Sequence, residues 1–310
     1  MTSTNVVAVD VGGTEIKSGL VGETGRLVRA TRTPTDRSHG WQGVIERLTA
    51  IVRGLVDAAG GERRVGAVGV VVPGIVDEHA GLARWAANLG WRDVPLRERL
   101  RDAVGLPVVL GQDVRAGALA EARLGAARGS RRSLFVAIGT GIAAALVQDG
   151  VVHAGAHGAA GEIGHLVVDP GGAACACGRC GCLETVASAA GIARRYAARS
   201  ATPTDRVGTA DLCALLDAGE AAAVHVWDDA VGALAVALDA AVLLTDPEVV
   251  VVGGGLSQAG ERLLAPLRRR LAEHAAVGEA PSIVAAQLGV WAGCHGAGLL
   301  GWAQVRGAPW

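Results

Sequence analysis

Two kinds of apolar pattern alternate along the chain. Short continuous runs occupy Val6–Val11, Ile16–Val21, Val65–Val72, Val108–Leu110, Leu134–Ile138, Ile142–Val147, Glu248–Val252 and Ser282–Ala286. Their length suits strands, and the lack of polar alternation in most of them suits strands covered on both faces. Helical spacing appears in Trp41–Ala59, where Val44, Leu48, Ile51 and Leu55 fall on one side. Further helices are predicted from about Val114 to Leu124, over the long Ala-rich stretch Ala221–Leu244, over Gln258–His274 and over Trp291–Val305. Strands alternating with helices indicate α/β layers with largely parallel pairing. Arg199–Gly208 reads as the one obvious flexible loop.

Two of the strand pairs echo each other. Val6–Val11 opens through Gly12-Gly13-Thr14 into Ile16–Val21, and Leu134–Ile138 opens through Gly139-Thr140-Gly141 into Ile142–Val147. Such turns can present N–H groups and a threonine hydroxyl to a phosphate, although a simple hairpin uses the same residues. The first is neither a Walker loop nor a Gly-x-Gly-x-x-Gly turn. The repetition suggests two similar halves.

Composition narrows the partners. A chain of 310 residues has room for two domains or one large one. Its formal net charge is −1, with no basic, aromatic-laced patch, so a nucleic-acid-binding module is disfavoured. Basic residues are almost all arginine, and Lys17 is the only lysine. No apolar run reaches the ~20 residues that span a bilayer, and the amino terminus lacks the segments of a signal peptide, so no membrane contact and a cytoplasmic location are expected.

Candidate chemistry gathers at a few places. Asp113 stands where a strand passes into a helix; it is a helix cap or a reactive carboxylate placed at a strand end. Gly253-Gly254-Gly255 follows another strand and suits either a nucleotide pressed against backbone or a tight turn. The densest stretch is Gly161–Glu184, with Glu162, His165, Cys175, Cys177, Cys180, Cys182 and Glu184. His-x9-Cys-x-Cys-x4-Cys fits a closed Cys3His zinc site, against a bland reading of unliganded cysteines in a loop.

Taken in order, these pieces resemble the ROK family of sugar kinases and sugar-responsive repressors, its glucokinases above all. Glu162-x-Gly-His165 with Cys175-x-Cys177-Gly-x-x-Gly-Cys182-x-Glu184 is similar to the family signature. Asp10-Val-Gly-Gly-Thr14, Pro73-Gly-Ile-Val-Asp77, Asn88-Leu-Gly-Trp91, Ile138-Gly-Thr-Gly-Ile142 and Val251-Val-Gly-Gly-Gly-Leu256 match as well. The resemblance covers Asp10 to about Gly301.

The resemblance implies an α/β, actin-like ATPase fold of two ribonuclease-H-like lobes, with sugar and ATP in the cleft between them. The lobes are expected at 1–112, joined by a C-terminal helix at 291–310, and at 113–290 with a zinc-binding loop at 165–182. The implied reaction is ATP-dependent phosphorylation of a hexose, glucose to glucose 6-phosphate first, with Asp113 as general base. Kinases for N-acetylmannosamine or N-acetylglucosamine and a non-catalytic sugar sensor are the alternatives. Gly74, Asn88, Gln112, Asp113, Glu162, His165 and Glu184 would meet the sugar. Asp10, Gly12, Gly13, Thr14, Lys17, Gly139, Thr140, Gly141, Gly254 and Gly255 would meet ATP with its Mg2+. His165, Cys175, Cys177 and Cys182 would hold a structural Zn2+, leaving Cys180 outside. A homodimer or homotetramer is expected.

The chain departs from the family pattern in places. Gln112-Asp113 replaces the usual Asn-Asp, Arg115 stands where Asn is common, and Ala143–Ala145 replaces a glycine run. Glu15 stands where several glucokinases carry lysine. Family repressors add an amino-terminal helix-turn-helix domain and tend to lose the Gly-Gly-Thr loop. Here that loop is kept and nine residues precede Asp10, so an enzyme is expected.

Overall fold

Strand β1 (Asn5–Val11) is buried from Val6 to Val11. Val7, Val9 and Val11 enter one apolar layer while Val6 and Ala8 enter another, which is why the run needs no polar alternation. The computed structural model describes residues 4–200, 207–274 and 279–308, so most of the loop expected at Arg199–Gly208 lies outside the described residues. The chain divides into two units: Met1–Gly125 with Gly150–Ala160 and Trp291–Trp310, and Ala126–Asp149 with Gly161–Val290.

In the first unit, β1 is followed by β2 (Glu15–Val21), β3 (Leu27–Pro34), α1 (Gly40–Ala59), β4 (Val65–Val72), β5 (Ile75–Asp77), β6 (Leu82–Ala86), β7 (Trp91–Val94), α2 (Leu96–Val104), β8 (Val108–Gln112) and α3 (Asp113–Leu124). The main sheet runs β3-β2-β1-β4-β8, and β5-β6-β7 form a small second sheet. β1 pairs antiparallel with β2 and parallel with β4, which pairs parallel with β8. Register aligns Asp10 with Val71, and Val72 with Gln112, so Asp10 and Asp113 stand at the same end of the sheet. α1 and α2 cover one face through Val44, Leu48, Val52, Leu96 and Leu100.

The second unit repeats the plan. β9 (Arg132–Ile138) and β10 (Ile142–Gln148) form its hairpin, and two-residue β11 (Val151–Val152) lies in the segment that returns to the first unit. α4 (Leu183–Ala187), α5 (Ala189–Ser200), α6 (Thr209–Asp217), α7 (Ala221–Thr245), β12 (Val249–Gly253), α8 (Glu261–His274) and β13 (Ser282–Ala285) follow. β10, β9, β12 and β13 lie side by side in that order. α7 is the hub: its Trp227, Leu234 and Leu238 share one core with Val136, Ile138, Leu183, Val252 and Leu267. The helix expected from Gln258 begins at Glu261, because Gly255–Ala259 forms a 3₁₀ turn closed by Gly260 at φ +59°.

The last helix, α9 (Ala292–Arg306), returns to cover the open face of the first sheet. Its approach is close enough to exclude side chains: a Cβ at Gly69 would collide with the Ala297 carbonyl, and one at Gly296 with the Ala116 carbonyl. Through that contact α3 stays in the first unit, whereas a division at 112/113 would assign it to the second lobe. Ala116 and Leu119 of α3 share the layer built by α9, which is the physical reason. Among the described residues no helix is long and apolar enough to cross a membrane.

Two glycines should answer oppositely to substitution. Gly296→Val should destabilise by about 1–3 kcal/mol or more, because the α3–α9 contact has no room. Gly54→Ala, at an exposed position of α1 where an added methyl meets nothing within 4 Å, should stabilise by about 0.5–1 kcal/mol. Urea unfolding of the variants checks both, and equal midpoints would refute the packing account.

Candidate active site

At the carboxyl end of the first sheet, Asp10 is almost fully buried, with Lys17 Nζ 3.4 Å from its Oδ2. Lys17 is held there by register, since it is the residue directly opposite Asp10 in β2. Burial pushes the Asp10 carboxyl above the usual carboxylate range, and Lys17 works against that rise. The turn after Asp10 is tight: Gly12 N donates to Glu15 O at 2.9 Å. Gly13 and Thr14 form its tip, with Thr14 exposed. A residue outside the motif clamps this turn. Buried Thr35 donates its hydroxyl to Gly12 O at 2.7 Å and its N–H to Thr14 O at 2.9 Å. Nothing in the local sequence marks Thr35, which acts from 23 positions away.

Farther along the same edge, Gly74 has φ +90°, and a Cβ there would collide with the Trp85 carbonyl of β6. Asn88 lies in a 3₁₀ turn, and its side chain is outside the described residues. At the start of α3, the capping residue is Gln112, whose Oε1 accepts from Arg115 N at 2.7 Å. The choice between cap and base for Asp113 is therefore changed: the preceding residue takes the cap, and Asp113 is the first residue of the helix. Asp113 Oδ1 accepts from Val114 N at 2.8 Å. The Gln112 side chain, expected to meet sugar, spends its carbonyl oxygen on its own helix.

Beneath that turn lies a pair that sequence patterning missed. Arg115, 3% exposed, donates Nε and Nη2 to Glu78 Oε1 at 3.1 and 2.9 Å. Glu78 Oε1 also accepts from Gln112 N at 3.2 Å, while Arg115 Nη1 donates to Gly158 O at 2.9 Å.

In the second unit, Gly139 N donates to Gly141 O at 2.9 Å, and Gly139 O accepts from Ala189 N at 2.8 Å, so the Gly139-Thr140-Gly141 turn is fastened to the start of α5. Gly254, with φ +80°, sits so close to the Ile138 backbone that no side chain fits, while Gly255 faces open space. The two glycine turns thus stand side by side at the ends of β9 and β12.

The segment from Gly161 begins flat against β10. Gly161 O accepts from Ala144 N at 2.7 Å, and a Cβ at either Gly161 or Gly164 would strike a β10 carbonyl. A short ladder then folds the cysteine loop back, through bridges Val167 to Cys182 and Ala174 to Cys180. It gathers His165, Cys175, Cys177 and Cys182, whose ligand atoms all lie within 4.8 Å of one another. Cys175 Sγ is 3.6 Å from His165 Nδ1, and Cys177 Sγ is 3.6 Å from Cys182 Sγ. Zinc–sulfur bonds of ~2.3 Å at the tetrahedral angle set sulfurs about 3.8 Å apart, so the donor set fits zinc. Cys180 is exposed and outside the group.

The charges around these donors differ. The Arg179 backbone N–H draws the Cys177 thiol down to about 6, whereas burial pushes Cys175 up to about 12 and raises Cys182. Glu184, in the first turn of α4, brings Oε1 to 3.1 Å from Cys175 Sγ and 3.5 Å from His165 Nδ1. Glu162 Oε2 lies 4.0 Å from His165 Nε2. Nδ1 therefore faces the Cys175 thiol and the Glu184 carboxylate, and Nε2 faces the Glu162 carboxylate.

Comparison with known proteins fits this arrangement. The ROK family model matches residues 6–304. A glucokinase of Halalkalibacterium halodurans is 35% identical over 309 residues, covering 95% of this chain and 94% of that one. The ROK hexokinase of Thermus thermophilus superposes with a TM-score of 0.83 at 36% identity, over 98% of this chain and 100% of its own. A ROK family glucokinase from Streptomyces griseus, solved with glucose and AMPPNP, gives a TM-score of 0.84 at 31% identity, over 96% and 98% of the two chains. With its family signature folded into a Cys3His cluster and its two glycine turns at strand ends, this chain belongs to the ROK family and has the actin-like ATPase fold.

Proposed function

We propose that the chain is an ATP-dependent sugar kinase that transfers the γ-phosphoryl group to a hexose, glucose first, to give glucose 6-phosphate. The family membership and the glucokinase relatives support the reaction class. The observation that carries the assignment of roles is the start of α3. Gln112 caps the helix there, so Asp113 is not needed as the capping group and stands at a strand end as the base for the sugar hydroxyl. Gly74, Asn88, Glu162, His165 and Glu184 are the sugar contacts in this reading, and Gln112 serves by holding Asp113 in place.

Phosphoryl transfer depends on positioning and charge neutralisation more than on covalent chemistry by the protein. Asp10, Gly12, Gly13, Thr14, Lys17, Gly139, Thr140, Gly141, Gly254 and Gly255 are assigned to ATP in this reading. Mg2+ would supply charge neutralisation on the phosphates, and Asp10 is the carboxylate to address it. His165 Nδ1 with Cys175, Cys177 and Cys182 would hold zinc. That leaves the Nε2 side of the ring, next to Glu162, for sugar hydroxyls. The metal is structural in this reading, because four protein donors leave no open position.

Two experiments test these roles. With ATP and a panel of glucose, mannose, N-acetylglucosamine and N-acetylmannosamine, ADP release should be fastest with glucose. Asp113→Asn should lower kcat by ~10²-fold or more, with sugar affinity little changed. A variant keeping above about a tenth of the wild-type kcat would place the base elsewhere.

The metal reading makes its own prediction. Purified protein should carry one zinc per chain, and Cys180→Ser should keep both metal and activity. Cys177→Ser should lose both, because the imidazole loses its anchor. X-ray absorption should find three sulfur neighbours and one nitrogen; four sulfurs would overturn the assignment.

A further inference from the structure

Glu78 and Arg115 form an ion pair, with Arg115 buried and Glu78 partly so, that touches the turn just before Asp113. A single oxygen, Glu78 Oε1, accepts three N–H groups: Gln112 N at 3.2 Å, Arg115 Nε at 3.1 Å and Arg115 Nη2 at 2.9 Å. Arg115 N in turn donates to Gln112 Oε1 at 2.7 Å. The residue immediately before Asp113 is thus gripped twice, at its own N–H by the Glu78 carboxylate and at its side chain by the backbone N–H of Arg115. Arg115 spends two further donors on backbone carbonyls, Gly158 O at 2.9 Å and Val76 O at 3.4 Å. Its side chain is 3% exposed and that of Glu78 16%, so solvent does little to screen the pair.

We infer that Glu78 and Arg115 are positioning residues that fix the Asp113 carboxylate for proton abstraction. The inference rests on the reading of Asp113 as the base. A base must sit within hydrogen-bond reach of the proton it takes, and a misplacement of about 1 Å can cost ~10²-fold. Asp113 is the first residue of α3, and its backbone is set by the turn it shares with Gln112. That turn is held by the Glu78 carboxylate from outside the helix and by the Arg115 backbone N–H from inside it, and the Arg115 guanidinium acts on it by holding Glu78 in place. A helix cap alone would need only the Gln112 side chain; the second grip, on the Gln112 backbone, comes from 34 positions upstream. Neither Glu78 nor Arg115 is placed to touch the sugar in this scheme. Their effect passes through Asp113.

The test measures kcat, both KM values and thermal stability for Glu78→Ala, Glu78→Gln and Arg115→Ala, each alone and combined with Asp113→Asn. Glu78→Ala and Arg115→Ala should each lower kcat about tenfold or more, with KM for sugar and ATP within about twofold of wild type. Glu78→Gln keeps an acceptor oxygen and loses the charge, so its kcat should fall between wild type and Glu78→Ala. In the Asp113→Asn background the same changes should lower the residual rate by less than about twofold, since the group they position is already gone.

A normal kcat in the folded single variants would overturn the inference while leaving Asp113→Asn inactive and the kinase reading intact. So would an equal loss in both backgrounds, or a fall in melting temperature with kcat unchanged. An active Asp113→Asn would overturn the base assignment, and this inference with it. Glu78→Gln, nearly the same shape as the native residue, keeps the test open if the alanine variants fail to fold.

Discussion

β1 has no polar face, and the first unit depends on that constraint. A strand buried on both sides is stable only when both sides are covered, since each exposed valine forgoes about 1.5–3 kcal/mol of burial. α1 and α2 cover one side, and α3 with α9 the other. The second cover works because Gly69 and Gly296 let α9 approach nearer than a side chain would allow. The polar groups at the end of β1 follow from this. Asp10 can be buried because register puts the ammonium group of Lys17 against it.

The second unit solves a different problem. The stretch from Gly161 to Glu184 contributes few residues to the core, so burial alone gives it little rigidity. It is fixed by backbone bonds to β10, by a two-rung ladder and by a knot of donors from His165 to Cys182. Leu183 at its far end enters the core around α7, and Ile163 and Val168 pack against that core only partly buried. Polar chemistry adds to that partial burial, with the imidazole of His165 within 4.0 Å of Glu162 and 3.5 Å of Glu184.

Much of this was legible in the chain itself, and the reasons are physical. The runs at β1, β4, β9 and β12 could be read because both faces are buried and polar residues fall only near their ends. The Cys3His set could be read because its ligands lie within eighteen consecutive positions. The strands β5 to β7 and helix α2 were not read, since short elements carry too few apolar positions to establish a period. α2 shows the point: Leu96, Leu100 and Val104 are its buried face, set among arginines and acids. Thr35 and Glu78 were invisible for another reason. Each acts on a turn 23 to 37 positions away, and no local spacing encodes that distance. Gln112 stood out as a departure, but its use as a cap needed the geometry of the turn.

The return of α9 to the first sheet also sets an order of events at the ribosome. The whole second unit, from Ala126 to Val290, is made before the helix that completes the first. Until Ala292–Arg306 emerges, the face of β1 carrying Val6 and Ala8 lacks the helix that completes its cover, though the first 125 residues have long been available. The later-made unit can therefore reach its native packing while the earlier-made one waits. A nascent chain stopped anywhere before Ala292 would expose that apolar face to chaperones and to aggregation.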